Sequence, residues 1–277
     1  MGLRVPLRLF ALTAVTVPLY TGWVLTRPVA WVLPKTDKGL QRFWVGRWAR
    51  SVLRIMGVRA RYEGPEPDGP FFLVCNHLSY VDIPVLLAQL DARFLAKSEV
   101  ASWPVLGLLA RSTGTLFIDR SRKRDLTRVM PAIERVLGRG PGVIIFPEGT
   151  STDGASVQPF KPSLFEVPVE MDLKVVCAAL HYDSPEGPRP AWEAVCWWGD
   201  APFGPHFLQF LKQAQTNATV TFSAETIVAP ERDGKGRRKD LAAAAHGAVQ
   251  RSFTPSRTTP PEHEPPAAPH ALPTTSR

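Results

Sequence analysis

The sequence predicts an α/β fold: a mixed, largely parallel central sheet flanked by helices, with an N-terminal membrane-associated helical region. Three observations lead there. Short apolar runs alternate with helix-patterned segments between residues 71 and 253, as in a mostly parallel sheet. Three of those runs end abruptly in polar residues, at Asn76-His77, Asp119-Arg120 and Glu148-Gly149-Thr150. Ligand groups occupy such positions where parallel strands run out. The third observation is an uncharged stretch, residues 9–25, flanked by Arg4, Arg8 and Arg27. Three segments follow: 1–60, a membrane anchor and amphipathic helix; 61–253, the α/β domain; and 254–277, a disordered tail rich in Pro, Thr and Ser.

Residues 9–25 lie at the short end for a membrane span, and Pro18 would kink a helix there. A cleaved signal peptide is the rival reading, but Thr26-Arg27-Pro28 makes a poor cleavage site. An uncleaved anchor, spanning the bilayer or lying in its interface, fits better, with Arg4 and Arg8 favouring a cytoplasmic N-terminus. Residues 39–57 read as an amphipathic helix. Phe43, Trp44, Trp48, Val52, Ile55 and Met56 form one face, and Arg42, Arg47, Arg50 and Arg54 occupy much of the rest. Such a helix suits a membrane interface and equally suits packing on its own domain. A Pro/Gly-rich hinge, 63–70, follows.

Strands are then expected at 71–75, 93–96, 115–119, 143–146, 174–182, 193–198 and 218–227, where apolar residues run without helical spacing. Helices are expected at 83–90, 104–111, 125–137, 162–167, 207–215 and 239–253. The pattern is clearest at 125–137, where Leu126, Val129, Met130, Ile133, Val136 and Leu137 share a face before Gly138, although Pro131 argues for a bend or a later start. Cys75, Cys177 and Cys196 each lie in an apolar run, without CxxC or metal spacing, and read as buried free thiols. The net charge of +8 points to an anionic partner, a membrane surface or phosphorylated substrate among them. No RRM, KH or helix-turn-helix signature supports nucleic acid. The sequence has no P-loop, GxSxG elbow, strand-linked GxGxxG or zinc-spaced histidine pair, so no cofactor and no metal are expected.

His77 stands where the first apolar run ends, and Asp82 follows five residues later. On a helix those side chains would point roughly 140° apart, so the chain between them must turn for them to meet. If they meet, Asp82 can hold one ring nitrogen and leave the other as a base. Arg120 could grip a phosphate bidentately, or pair with Asp119 or a neighbouring carboxylate. Gly149 allows close backbone approach to a ligand, and Pro159-Phe160-Lys161 can bring a second cation.

These blocks resemble the lysophospholipid (1-acylglycerol-3-phosphate) acyltransferase family, over residues 77–227. Asn76-His77-x4-Asp82 is similar to its NHxxxxD (HX4D) block, Gly114 to Arg120 to GxxFIDR, and Phe146 to Thr150 to FPEGT. Similarity at Ala96-Lys97-Ser98-Glu99, Trp103-Pro104, Pro159-Phe160-Lys161 and Trp198-Gly199-Asp200 looks closest to bacterial members that include lyso-ornithine lipid acyltransferases. Two departures bear on the headgroup. Ser151 stands where many members carry Arg, and Val175-Val176-Cys177-Ala178-Ala179 lacks the proline usual in that strand.

The resemblance implies that residues 61–253 form an acyltransferase domain. It implies transfer of a fatty acyl group from acyl-CoA or acyl-ACP to the hydroxyl of 1-acylglycerol-3-phosphate, giving phosphatidic acid, or of lyso-ornithine lipid or another lysolipid. It assigns His77 as general base and Asp82 as its orienter. Arg120, with Lys161 or Lys97, would hold the anionic headgroup, and Glu148, Gly149 and Thr150 would shape the acceptor pocket. Asn76, Ser79, Gly114, Asp119, Phe146 and Pro147 are the supporting motif residues. The enzyme would sit on the bacterial inner membrane with its active site on the cytoplasmic side. A membrane-tethered lipid hydrolase and a non-enzymatic lipid-binding protein are the competing readings.

Overall fold

The structure, a computed structural model, describes residues 3–32, 37–103, 106–119, 123–185, 189–231 and 236–257. Two long helices, α1 (Arg4–Val32) and α2 (Asp37–Met56), lead directly into β1 (Val58–Glu63). Next come β2 (Phe72–Cys75), α3 (Asp82–Gln89), β3 (Ala92–Lys97), a 3-10 turn at Ser98–Ser102, α4 (Leu106–Ser112) and β4 (Leu116–Ile118). Then α5 (Lys123–Gly138), β5 (Gly142–Ile145), a 3-10 turn at Pro162–Phe165, α6 (Glu166–Glu170) and β6 (Val175–Asp183) follow. The chain closes with α7 (Ala191–Ala194), α8 (Phe203–Phe210), β7 (Thr216–Ile227) and α9 (Arg237–Ser252).

The seven strands form one sheet in the order β1-β7-β6-β2-β5-β3-β4. The run β6-β2-β5-β3-β4 is parallel, β7 lies antiparallel to β6, and β1 is parallel to β7. This is the mixed, largely parallel sheet the sequence predicts. β2 and β5 are buried along their whole length, as central parallel strands covered on both faces must be. Alternation in β2 feeds two cores. Leu73 and Cys75 pack with Ala49, Val52 and Leu53 of α2 and with Val85 and Leu86 of α3. Phe72 and Val74 pack with Val129 and Ile133 of α5 and with Leu241, Ala245 and Val249 of α9. All three cysteines are buried and free. Registers Val74↔Ile145, Phe94↔Ile144 and Lys97↔Ile118 bring the carboxyl ends of β2, β5, β3 and β4 to one edge.

α1 lies against α2, where the Trp48 indole donates to Thr16 Oγ1 at 3.2 Å. Its first turns are tied to the domain. Arg4 donates to the Lys212 carbonyl, and Arg8 to the carbonyls of Leu211, Gln213 and Ala214. Leu3, Leu7, Phe10, Val17, Val24 and Leu25 remain exposed. By length and composition Arg4–Pro28, 25 residues containing an 18-residue stretch of mean hydropathy 1.5, could cross a membrane.

Five expectations are corrected. The strand expected at 193–198 is the short helix α7 followed by irregular chain. Its apolar residues Ala194, Val195 and Cys196 are buried in the core without the alternation of a ladder, and such a run does not distinguish strand from buried helix or loop. The helix expected at 207–215 begins earlier, at Phe203 behind an extended Pro202, and stops at Phe210, so the carbonyls of 211, 213 and 214 are free to receive Arg8. β1 was not anticipated, and the boundary placed at residue 60 falls inside it. Residues 254–257, assigned to the tail, fold onto the domain: Ser256 N–H donates to Gly154 O at 2.8 Å, and Arg257 pairs with Asp153 at 2.7 Å while lying over Trp192. α5 starts at Lys123, ahead of the expected 125 rather than later, and continues past Pro131.

Candidate active site

The site begins where β2 stops. Beyond Cys75 the Asn76 side chain takes over the pairing with β6: its Nδ2 donates to Leu180 O at 3.0 Å, and Leu180 N–H donates to its Oδ1 at 2.7 Å. The main chain is thereby released to turn outward at His77. Both backbone groups of His77 are held from the loop after β5. Its N–H donates to Glu148 Oε1 at 2.6 Å, and its carbonyl accepts from Thr152 N–H at 3.0 Å. The ring stacks on Phe146, with centroids 4.0 Å apart and planes within 8°, and Phe146 rests in turn on Phe94.

The turn that brings His77 and Asp82 together is closed by Asp82 N–H donating to Ser79 O at 3.1 Å. The Asp82 carboxylate folds back over that turn. Oδ2 accepts from Leu78 N–H at 2.8 Å, from Ser79 N–H at 3.0 Å and from His77 Nδ1 at 2.7 Å. Oδ1 accepts from the Tyr182 hydroxyl at 2.7 Å. Asp82 is 0 % exposed, so these four donors take the place of water. Because the carboxylate only accepts, the imidazole proton resides on Nδ1. Nε2 has no hydrogen-bond partner among the described residues, and the side chain is 22 % exposed. A histidine held this way presents a lone pair to whatever binds above it.

Glu148 braces the site from beneath. It is 3 % exposed, and its second oxygen accepts from Gln158 N–H at 2.9 Å. Burial pushes its carboxyl up to about 8. The N–H donors of Gln158 and His77 restrain the rise, and the charge of Asp82 adds to it. The ordinary carboxyl pKa of an unfolded chain lies well below this, so the associated stability is fully present at acid pH and is lost as pH rises through about 8. The contribution of Glu148 to folding stability should therefore fall by about 2–4 kcal/mol from pH 5 to 8. In Glu148→Gln that part of the slope should vanish and kcat should drop, because one of the two N–H groups then meets an amide NH2. Urea unfolding at several pH values, alongside turnover, measures both.

The remaining motif residues divide between site and scaffold. Gly149, at φ +78°, makes the sharp turn after Glu148, and Thr150 is exposed beside it. The Ser151 hydroxyl donates to Trp197 O, and Trp197 N–H donates to Leu78 O at 2.8 Å, tying two site loops together. Ser79 is fully buried, and Pro147 O accepts from Lys161 N–H at 2.9 Å, which places Lys161 on the loop bearing Glu148 with an exposed side chain. Lys97 ends β3 and pairs with Glu99 at 2.7 Å. Asp119 N–H donates to Asp125 Oδ2 at 2.6 Å, and Arg120 lies outside the described residues. Gly114 sits at the opposite, amino-terminal end of β4. At φ +78° it ends α4, where a Cβ would come within 2.9 Å of the Arg93 side chain, so its place in the motif is structural. Sequence reasoning did not single out Thr152, Phe94 or Tyr182. Only Tyr182 carries a signal, a lone phenol in an apolar strand that must find a partner for its O–H.

With this geometry in place, comparison with known proteins is informative. The acyltransferase family model matches residues 57–181. A lyso-ornithine lipid O-acyltransferase of Rhodobacter capsulatus is 36% identical over 207 residues, 73% of this chain and 72% of that protein. One from Brucella abortus is 32% identical over 247 residues, 85% of this chain and 91% of that protein. A 1-acyl-sn-glycerol-3-phosphate acyltransferase of Neisseria meningitidis is 35% identical over 144 residues, 51% of this chain and 56% of that protein. The crystal structure of the Thermotoga maritima 1-acyl-sn-glycerophosphate acyltransferase PlsC shares the fold, with a TM-score of 0.54 at 17% identity over 85% of this chain and 95% of that one.

Proposed function

The chain belongs to the acyltransferase family, and on that premise we propose that it transfers a fatty acyl group from acyl-CoA or acyl-ACP to the hydroxyl of a lysolipid, with His77 as general base. One observation carries the mechanism: Nδ1 of His77 is bound to a buried carboxylate while Nε2 has no hydrogen-bond partner among the described residues and the side chain is 22 % exposed. Nε2 takes the proton of the acceptor hydroxyl as its oxygen attacks the thioester carbonyl. The C–S bond breaks, the imidazolium returns the proton to the departing thiolate, and the new ester leaves with His77 reset. Asp82 holds the tautomer and stabilises the transient imidazolium. No side chain is acylated, so donor and acceptor are bound together.

Lyso-ornithine lipid is the first acceptor proposed. The relatives of that name are similar over 73% and 85% of the chain, and Ser151, whose hydroxyl is committed to Trp197 O, supplies no phosphate-binding charge. A second reading, 1-acylglycerol-3-phosphate, is favoured by the Neisseria relative at 35% identity. A membrane location, with α1 as anchor and the site facing the cytoplasm, fits either acceptor.

Incubation with lyso-ornithine lipid or lysophosphatidate and labelled acyl-CoA or acyl-ACP tests the proposal. Ester product that requires acceptor is expected. Free fatty acid alone would point to a hydrolase, and liposome binding without turnover to a lipid-binding protein. If Arg120 holds a phosphate, Arg120→Ala raises KM for lysophosphatidate about tenfold, with a much smaller change for lyso-ornithine lipid. Unchanged constants for both would return Arg120 to the scaffold.

A further inference from the structure

We propose that Tyr182 is a positioning residue of the catalytic pair, its hydroxyl fixing Asp82 from the side opposite His77. The inference rests on the reading of His77 as general base. Tyr182 lies on β6, is 1 % exposed, and donates to Asp82 Oδ1 at 2.7 Å from 100 residues away in sequence. The three other donors to the carboxylate all meet Oδ2. A carboxylate held through one oxygen can pivot about its Cβ–Cγ bond. A donor at the second oxygen fixes the plane and keeps Oδ2 aimed at Nδ1. Burial, reinforced by the charge of Asp82, holds the phenol well above its ordinary range, so it remains an O–H donor throughout the working pH range.

Tyr182 is itself held by the segment that follows α9. Its N–H donates to Ser256 Oγ at 2.9 Å. Ser256 N–H donates to Gly154 O at 2.8 Å, Gly154 N–H reaches Thr152 Oγ1 at 3.4 Å, and Thr152 N–H donates to His77 O at 3.0 Å. The contacts close a ring: His77, Asp82, Tyr182, Ser256, Gly154, Thr152 and back to His77. Residues drawn from β6, the loop after β5 and the chain after α9 thus set the position of one imidazole.

Tyr182→Phe keeps the buried ring and removes only the O–H. We expect kcat to fall about tenfold, the effect of deleting one hydrogen bond to a charged group. KM for both substrates should stay within about twofold. Without the phenol the carboxylate is free to pivot, so its contact with Nδ1 loosens and the imidazolium is stabilised less. The acid limb of kcat/KM should therefore move to lower pH, by about half a unit. Among the described residues the other titratable groups facing the pair are Glu148 from the loop after β5, Cys75 at the end of β2 and Cys196 after α7, with the Asp153–Arg257 pair behind Cys196; none is altered by the substitution. Replacing the four tyrosines with 3-fluorotyrosine keeps every donor but makes it more acidic, so that the phenol draws more charge from Asp82, and should also move the limb to lower pH. This second measurement decides the matter if Tyr182→Phe does not fold. An acid limb that stays put, or moves against these directions, overturns the proposal, because a role in packing alone lowers stability without shifting it. Activity surviving in His77→Ala would instead remove the general-base reading itself.

Discussion

His77→Ala is expected to lose acyl transfer by about a thousandfold or more while keeping the fold, since a positioned general base is worth about 10²–10⁴ and nothing else among the described residues can take the proton. The carboxyl groups at the site among the described residues are Asp82, which keeps three donors when the ring is removed, and Glu148, which lies beneath the His77 backbone and accepts two N–H groups. The structural cost is moderate. The ring is partly exposed, and its removal forfeits the stack on Phe146, about 1 kcal/mol, and one of the four donors to buried Asp82, about 1.5–3 kcal/mol. Labelled ester formation and thermal unfolding measure the two effects separately, and substantial turnover in folded His77→Ala would dispose of the mechanism.

Asp82→Asn should lower kcat by about 10²–10³ through loss of charge rather than geometry. The N–H groups of Leu78 and Ser79 both require an oxygen at the Oδ2 position, which forces the amide NH2 to the Oδ1 position. There the Tyr182 hydroxyl can turn and accept. The Nδ1–H tautomer of His77 survives, but the imidazolium formed in the transition state loses its counter-charge. Asp82→Ala is expected to behave differently. It strands three N–H donors and a buried phenol, and should cost about 3–5 kcal/mol of stability besides activity. Nearly equal stability of Asp82→Asn and wild type, with Asp82→Ala well below both, would bear out this account. Comparable unfolding of both variants would contradict it.

These expectations draw on features of unequal visibility in the sequence. The strand ends at His77, Asp119 and Glu148 were legible because a parallel strand buried on both faces is apolar throughout and becomes polar only where it emerges. The run 193–198 looks the same locally and is not a strand, because burial alone does not specify a ladder. Gly114 shares a motif with Asp119, yet the length of β4 separates it from the site. Glu148 was expected to meet the acceptor as part of the pocket; its carboxyl group is seen to hold the His77 backbone, a contact between residues 71 apart.

The sequence by itself determined the alternation of strands and helices, the apolar N-terminal helix and the placing of a histidine and an aspartate after a strand end, because these depend on periodicity and composition over a few neighbouring residues. Tertiary structure alone decided which imidazole nitrogen faces outward, which groups saturate Asp82 and how the chain after α9 returns to the site. The local turn supplies three of the donors to Asp82, but the contacts that fix it in place, from Tyr182 to Asp82, from Ser256 to Tyr182 and from His77 to Glu148, join residues 100, 74 and 71 positions apart. Strand order and register create such bonds, and no local pattern encodes them.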